Sequence, residues 1–431
     1  MKLRKVSLVS TLCLVLLVLV VSLAFGCTAT TTPTEPETPT EPETPTEPET
    51  PTEPETLKIG AILTLGNSTG LDMLHTLELQ AAMANENGGV EIGGTLYNIE
   101  IIGYDNGLDQ TTSVSAANRL VYEDEVKFII FDVPSMVSAW IDTTEENKVI
   151  VLGASPDLAN ELPTVNYGFN PSPMNTSLPG IVGWYCNAYP DEVEQGIAVV
   201  LQDNQIGHMF GGMYEAIWGA FGVTPTSIYY PPDQTDVSAV ATQVKTLNPG
   251  LAMTAGQGGT EAAALFKAIW SAGYQGMLLC GKSTTAETLV GVAGAEAVEG
   301  LLGVLSPTEV DPAITTMAQE FKDAWIAEYG SWENPDTLGA NYYLALITAL
   351  QIAGSTDTDA VADVLANGLV FEAPAGTGQM VSRLDIGNAR TVDCVQTLYM
   401  KQIIDGQPVL FATVSVEDVA AYFLAAYPPE E

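Results

Sequence analysis

The chain has 431 residues and a formal net charge of −39, with 53 acidic against 14 basic side chains, 2 histidines and 5 cysteines. So acidic a surface repels phosphate backbones and argues against nucleic acid as a partner. With two histidines, no CxxC pair and three scattered cysteines beyond residue 27, neither a Cys/His metal centre nor a disulfide framework is expected, and no cofactor is implied.

Lys2, Arg4 and Lys5 precede an apolar run from Val6 to Val21, which continues as Ser22-Leu23-Ala24-Phe25-Gly26-Cys27. A basic start, an apolar stretch and small residues before a cleavage point make a secretory signal. The run also approaches the roughly 20 residues of a spanning helix, so an uncleaved anchor is the competing reading. Leu23 to Cys27 resembles a bacterial lipobox, with alanine at 24 where leucine is more usual. That resemblance makes Cys27 the lipidated, mature N-terminus of a segment spanning 1–27. Both readings place the rest of the chain outside the cytoplasm, tethered to a membrane. Between Pro33 and Thr56 the hexapeptide Pro-Thr-Glu-Pro-Glu-Thr occurs four times. It offers no apolar side chain except proline to offset the entropy of ordering, and its glutamates repel one another. Residues 28–56 are therefore expected to form an extended stalk. At about 3.1 Å per residue its repeats reach roughly 70 Å.

From residue 57 onward, strand-like and helix-like segments alternate. Strands are predicted at 57–63, 97–104, 128–131 and 149–152, with helices at 72–87, 111–123 and 135–146. The pattern then restarts, with helices at 176–188, 209–221, 237–247 and 260–272 and strands at 195–201, 227–230, 251–254 and 277–280. Helices at 313–329, 337–353 and 358–367 precede a β-rich ending at 381–384 and 394–404. Short apolar strands alternating with helices imply parallel sheets covered on both faces, here two doubly wound α/β lobes. Ligands of open sheets sit beyond the carboxyl ends of the strands. That rule nominates the loops at 65–71, with Thr69, and at 132–136, 153–157, 202–207, 255–259 and 281–285.

Gly66-Asn67-Ser68-Thr69-Gly70 fits the G-x-S-x-G of a nucleophile elbow and lies between a strand and a helix. A hydrolase would also need a histidine base, and only His75 and His208 are available; the bland alternative is a ligand-contact turn containing a serine. Gly256-Gln257-Gly258-Gly259 lacks the spacing of a nucleotide fingerprint and reads as a strand-to-helix turn. Asp132 and Asp203, each following a strand, are expected as helix caps rather than an acid–base pair. Trp184, Trp270, Trp325 and Trp332 are expected in core packing. No catalytic constellation emerges, so the chain is read as a binder and not an enzyme.

The order of these segments resembles the branched-chain amino-acid-binding proteins of ABC transporters, the type I periplasmic-binding fold. The stretches carrying the likeness are Lys58-Ile59-Gly60-Ala61, Glu86-Asn87-Gly88-Gly89-Val90, Tyr104-Asp105-Asn106-Gly107-Leu108-Asp109, Ala116-Ala117-Asn118-Arg119-Leu120-Val121 and Tyr230-Pro231-Pro232-Asp233-Gln234-Thr235-Asp236. The resemblance implies two lobes joined by three crossovers near 168–172, 304–308 and 371–383. Lobe one would take 57–170 with 306–376, and lobe two 171–305 with 377–431. It also implies closure on a small molecule and delivery to an ABC permease, or, with the same closure, signalling to a membrane partner. By the same resemblance, Ser135, Ala154 and Ser155 contact a ligand carboxylate from the first lobe. In the second lobe Asp203 belongs to the contact loops, while Ile206 and Gln257 stand where the family places aromatics. Lys282 stands where the family places the acid that binds the ligand ammonium. A lysine about 4 Å from an ammonium costs roughly 4 kcal/mol at an effective dielectric of about 20. That is about a thousandfold in affinity. The expected ligand is thus anionic or neutral-polar and not a simple zwitterionic amino acid.

Overall fold

The computed structural model describes residues 53–132, 135–154, 159–160, 162–172, 176–232, 236–254, 257–281, 284–333, 335, 338–383 and 392–428, with the side chains of Ile206, Val392 and Asp393 outside that description. Cys27 and the repeats up to Thr52 lie outside it too. Among the described residues no helix is long and apolar enough to cross a membrane.

The first lobe is a six-stranded sheet of β1 (Glu55–Leu63), β2 (Val90–Ile92), β3 (Thr95–Asp105), β4 (Phe128–Phe131), β5 (Ile150–Leu152) and β6 (Gly168–Phe169), in the order β2-β3-β1-β4-β5-β6. All neighbours run parallel except β2, which turns back on β3 through Gly93 and Gly94, both at positive φ. Alternate residues along each strand point to opposite faces. Ile59, Ala61, Leu63, Phe128, Ile130, Ile150 and Leu152 face one core, where they meet α1 (Ser68–Glu86), α12 (Leu338–Ala353) and α13 (Thr358–Ala366). Ile62, Ile129, Phe131 and Val151 face the other, against α2 (Gln110–Tyr122) and Trp140. The sheet is therefore apolar through its full thickness.

The second lobe carries β7 (Ile197–Gln202), β8 (Thr226–Tyr230), β9 (Leu251–Thr254), β10 (Met277–Cys280), β11 (Leu302–Val304), β15 (Leu398–Ile404) and β16 (Gln407–Val414). Their order is β16-β15-β11-β10-β9-β7-β8. β7 to β11 are parallel, and the last two strands add antiparallel. One face packs on α4 (Ser177–Ala188), α6 (Gln205–Ala220) and α14 (Val416–Ala426), the other on α7 (Ser238–Leu247), α8 (Gly259–Ser271) and α9 (Ala286–Ala293). The short α3 (Ile141–Glu146), α5 (Pro190–Gln195) and α10 (Ala295–Val298) lie on the connections.

The chain passes between lobes three times. It leaves β6 for α4, and leaves β11 for α11 (Thr316–Tyr329), whose Phe321 and Trp325 pack with Leu79 of α1. The third passage is a small antiparallel sheet, β12 (Val370–Ala373), β13 (Gly376–Ser382) and β14 (Val392–Gln396). Strand alternation there serves both lobes: Met380 and Cys394 enter the first core, Val381 and Val395 the second. Thr176, at the start of α4, hydrogen-bonds the Cys394 carbonyl, and Asn341 of α12 donates to Gln396 Oε1 at 3.2 Å. No single residue number divides the lobes at this crossing.

Several elements differ from the sequence expectation. The helix expected from 72 begins at Ser68, capped by Asn67, and that expected from 209 begins at Gln205, capped by Asn204. The helix expected over 135–146 is a single 3-10 turn, Val137–Ala139, followed by α3. Met136 before it is left-handed (φ 52), and the Trp140 indole N–H donates to the Ser135 carbonyl at 2.9 Å, so α-helical bonding cannot propagate through this turn. β2, β6, α5, α9, α10, β11, β12, β16 and α14 lie outside the sequence expectation. β2 and β11 have three residues each, too few to show a period, but α14 carried a signal. Ser415 accepts the Asp418 N–H at 3.1 Å, the start of a capping box before an apolar helix. Trp270, expected in the core, is 44 % exposed.

Candidate functional site

Both first β-to-α turns are built alike. After β1 comes Asn67-Ser68-Thr69-Gly70, and after β7 comes Asn204-Gln205-Ile206-Gly207. Each asparagine Oδ1 accepts the N–H of the glycine three residues on, at 2.9 and 2.8 Å. Each glycine is required by close approach: a Cβ would lie 2.2 Å from the Thr64 carbonyl oxygen in one case and 1.8 Å from that of Gln202 in the other. The G-x-S-x-G match thus has a packing cause, since Gly70 lets α1 start hard against the end of β1. Ser68 and Thr69 sit exposed in the first helical turn. Neither histidine serves Ser68. His75 is stacked on Tyr329 (4.6 Å, 19°), and His208 bonds Asp203 Oδ1 at 2.8 Å while stacking on Tyr229 (4.4 Å, 27°).

At the carboxyl ends of the first-lobe strands a buried polar network replaces the apolar interior. Asp132 accepts the Thr64 N–H at Oδ2 (2.7 Å), and at Oδ1 it accepts the Asn106 amide (3.1 Å) and the Ser135 hydroxyl (2.5 Å). Asn106 also donates to Thr64 Oγ1 at 2.9 Å. All four residues are buried. Burial pushes the Asp132 carboxyl above its ordinary value, opposed by the hydrogen bonds from Ser135 and Thr64. The aspartate was expected as a helix cap; instead it ties together the ends of β1, β3 and β4. Ser135 Oγ is also within 2.9 Å of the Ile62 carbonyl and 2.7 Å of the Asp132 carbonyl. Its one proton has only acceptors around it, so the hydroxyl is turned into the lobe. Ala154 is buried just past β5, and Ser155 lies outside the described residues.

The second-lobe strand ends bury a different set. Gln257 is buried and donates to the Val200 carbonyl at 2.7 Å, just past the Val200–Thr254 register of β7 and β9. Among the described residues its Oε1 has no partner. Lys401 of β15 donates to both Glu309 oxygens (2.8 and 2.7 Å) and to the Thr284 carbonyl (2.6 Å). Glu309, on the second crossing, also accepts the Ala286 N–H at 2.8 Å, at the start of α9. The pair is 1 % and 7 % exposed and pins the turn that follows Lys282, a residue outside the described set. Asp203 does not cap α6, a role Asn204 fills; its exposed carboxylate faces His208. The side chain of Ile206 is not described.

Sequence reasoning found the loops but missed most of their working parts: Asn67, Asn204, Thr64, Asn106, Glu309 and Lys401. The Asn-x-x-Gly repeat after the first strand of each lobe was the available signal. Nothing local marks Lys401, whose partner is 92 residues away. Cys186, Cys280 and Cys394 are thiols, and burial pushes that of Cys186 up to about 11.

The periplasmic binding protein family model matches residues 56–406. No curated protein matches the sequence. Among solved structures, a leucine binding protein from Thermotoga maritima is 20% identical, with a TM-score of 0.60 over 84% of this chain and 99% of that one. A branched-chain amino acid transporter substrate binding protein from Streptococcus pneumoniae, in complex with isoleucine, is 18% identical with a TM-score of 0.59, covering 84% and 99%. A solute binding protein of an ABC transporter from Rhodopseudomonas palustris, in complex with 3,4-dihydroxybenzoic acid, is 18% identical with a TM-score of 0.59, covering 84% and 98%. At these identities the likeness establishes the shared two-lobed fold. With the family model matching the chain from β1 through β15, across all three crossings, this chain belongs to the periplasmic binding protein family.

Proposed function

We propose that this protein is a lipid-anchored, extracytoplasmic solute-binding protein that delivers a small carboxylate-bearing ligand to an ABC importer of the branched-chain amino-acid type. The observation that carries the reading is the polarity of the strand ends. Each sheet is apolar within, yet Thr64, Asn106, Asp132 and Ser135 in one lobe, and Thr254, Gln257, Thr284 and Lys401 in the other, are buried at or next to the carboxyl ends. That is the edge where open α/β sheets take ligands. The starts of α1 and α6 lie at the same edges, and unbonded N–H groups of a first helical turn favour an anion. Thr69, Ala154 and Ser155, with the turn held by Ser135, form the first-lobe side of the proposed site. Asp203, Ile206, Gln257 and Lys282 form the second. Cys27 supplies the anchor, and the stalk read at 28–56, whose Glu55 and Thr56 enter β1, holds the lobes away from the membrane.

Lys282 favours a ligand without an ammonium near the second lobe, as its charge would oppose one. A thermal-shift screen of amino acids, short carboxylates, amides and aromatic acids, followed by calorimetry, tests the reading. A carboxylate lacking an α-amino group is expected to bind. Micromolar binding of L-leucine would refute the role given to Lys282, and a protein that no member of the panel stabilises would count against solute binding itself.

A further inference from the structure

The turn that leads from β10 into α9 is gripped by groups that do not belong to it. The Thr284 carbonyl accepts from Lys401 Nζ at 2.6 Å, and the Ala286 N–H donates to Glu309 Oε1 at 2.8 Å. Lys401 donates to the two Glu309 oxygens at 2.8 and 2.7 Å. Lys401 comes from β15, 117 residues from Thr284, and Glu309 from the second crossing, 23 residues from Ala286. A buried ammonium and a buried carboxylate that each hold a backbone group as well as one another make a single rigid cluster, because either charge alone would lose its solvation.

The cluster also reaches out of the second lobe. Glu309 follows Thr308, whose carbonyl accepts from Lys322 Nζ at 3.4 Å. Lys322 lies on α11, whose Phe321 and Trp325 pack with Leu79 of α1, and whose Tyr329 hydroxyl donates to the His75 carbonyl of α1 at 3.3 Å. One lysine therefore holds Glu309 from the second lobe, and another holds the adjacent Thr308 from a helix packed on the first. We propose that Lys401 and Glu309 are positioning residues that lock the end of the turn at 281–286 to the second crossing, with Lys322 carrying the coupling to α11. Occupancy of that turn is thereby linked to the movement of the lobes about the crossing. The placing of a ligand at the turn rests on the solute-binding reading, whereas the coupling is a property of the unliganded chain.

The test is hydrogen exchange of the unliganded full chain, read at the Ala286 amide. The control is the Gly207 amide, which Asn204 Oδ1 holds at the start of α6 in the same lobe. Glu309→Gln combined with Lys401→Met removes the cluster without stranding a charge, and is expected to quicken exchange at Ala286 about tenfold, as the loss of a charge-assisted hydrogen bond would. Lys322→Met removes only the grip on Thr308, and is expected to quicken Ala286 about threefold through the shared bonds. Gly207 should keep its rate in both variants. An unchanged Ala286 in Lys322→Met overturns the coupling, even if the double variant fails to fold. Equal quickening of Ala286 and Gly207 also overturns it, because the cluster would then serve only the general stability of the lobe. No ligand enters the measurement, so a protein that binds nothing in the thermal-shift panel would end the solute-binding reading while the exchange rates still decide the coupling.

Discussion

At the carboxyl ends of its strands the first lobe buries a carboxylate, Asp132, and the second an ammonium, Lys401. Asp132 is surrounded by neutral donors, a backbone N–H, an amide and a hydroxyl. Lys401 is matched by a full opposite charge on Glu309. The difference teaches how each face is held. In the second lobe two charges fix each other, and the crossing that carries Glu309 is bound to the start of α9. In the first lobe one charge is solvated by the protein itself, so the network has a proton equilibrium of its own. The lobes share the Asn-x-x-Gly turn and diverge in what lies behind it.

Breaking the ion pair has the largest expected effect. Lys401→Met leaves the buried Glu309 carboxylate with the Ala286 N–H alone among the described residues, and removing one partner of a buried pair costs about 3–5 kcal/mol. Denaturant unfolding measures the loss. Glu309→Gln added to Lys401→Met removes the stranded charge and should recover a large part of it. If the single variant costs under about 1 kcal/mol, the pair does not hold the second-lobe face and the contrast with Asp132 dissolves.

The shared turn is tested by Gly70→Ala and Gly207→Ala. Each added methyl meets a backbone carbonyl that cannot swing aside, and overpacking of this kind costs about 1–3 kcal/mol. Gly207→Ala should be the worse, given the 1.8 Å approach against 2.2 Å. Thermal unfolding of both compares the lobes directly; a neutral Gly70→Ala would show that only the second lobe depends on the device.

The smallest effect is a trend with pH. Burial raises the Asp132 carboxyl above its ordinary 3.8, so the native state holds that proton more tightly than the unfolded chain. The stability it contributes is full below pH 3.8 and is lost as pH rises through the native value. Asp132→Asn cannot ionise, so the parent's stability relative to this variant should fall as pH rises between about 3.5 and 7. A relative stability that climbs over that range would mean the donors outweigh burial and hold the native carboxyl below its ordinary value.

Much of the fold was legible because its strands are short apolar runs separated by helices of ordinary length. Phe128-Ile129-Ile130-Phe131 and Leu251-Ala252-Met253-Thr254 declare a sheet buried on both faces. The candidate site was legible as loops and not as chemistry. Asp132 after an apolar strand looks like a helix cap until Thr64 and Asn106, 68 and 26 residues away, are brought to it. Ser135 looks like a ligand donor until its hydroxyl is found turned toward Asp132 and the end of β1. Met136 appears as one more residue in a helix, because backbone handedness leaves no mark on hydrophobic period.

Sequence alone determined the two α/β lobes and the Pro/Thr/Glu repeats, since these follow from periodicity and composition read within short windows; the three crossings were implied only by the family resemblance. It also contained the Asn-x-x-Gly turns, whose capping bonds span three residues. Only the tertiary structure decided that β13 and β14 feed two cores at once, that Lys401 finds Glu309, and that Asp132 gathers three strand ends. Those are contacts between segments distant in the chain, and a buried charge reveals its partner only when the fold has removed the water that would otherwise solvate it.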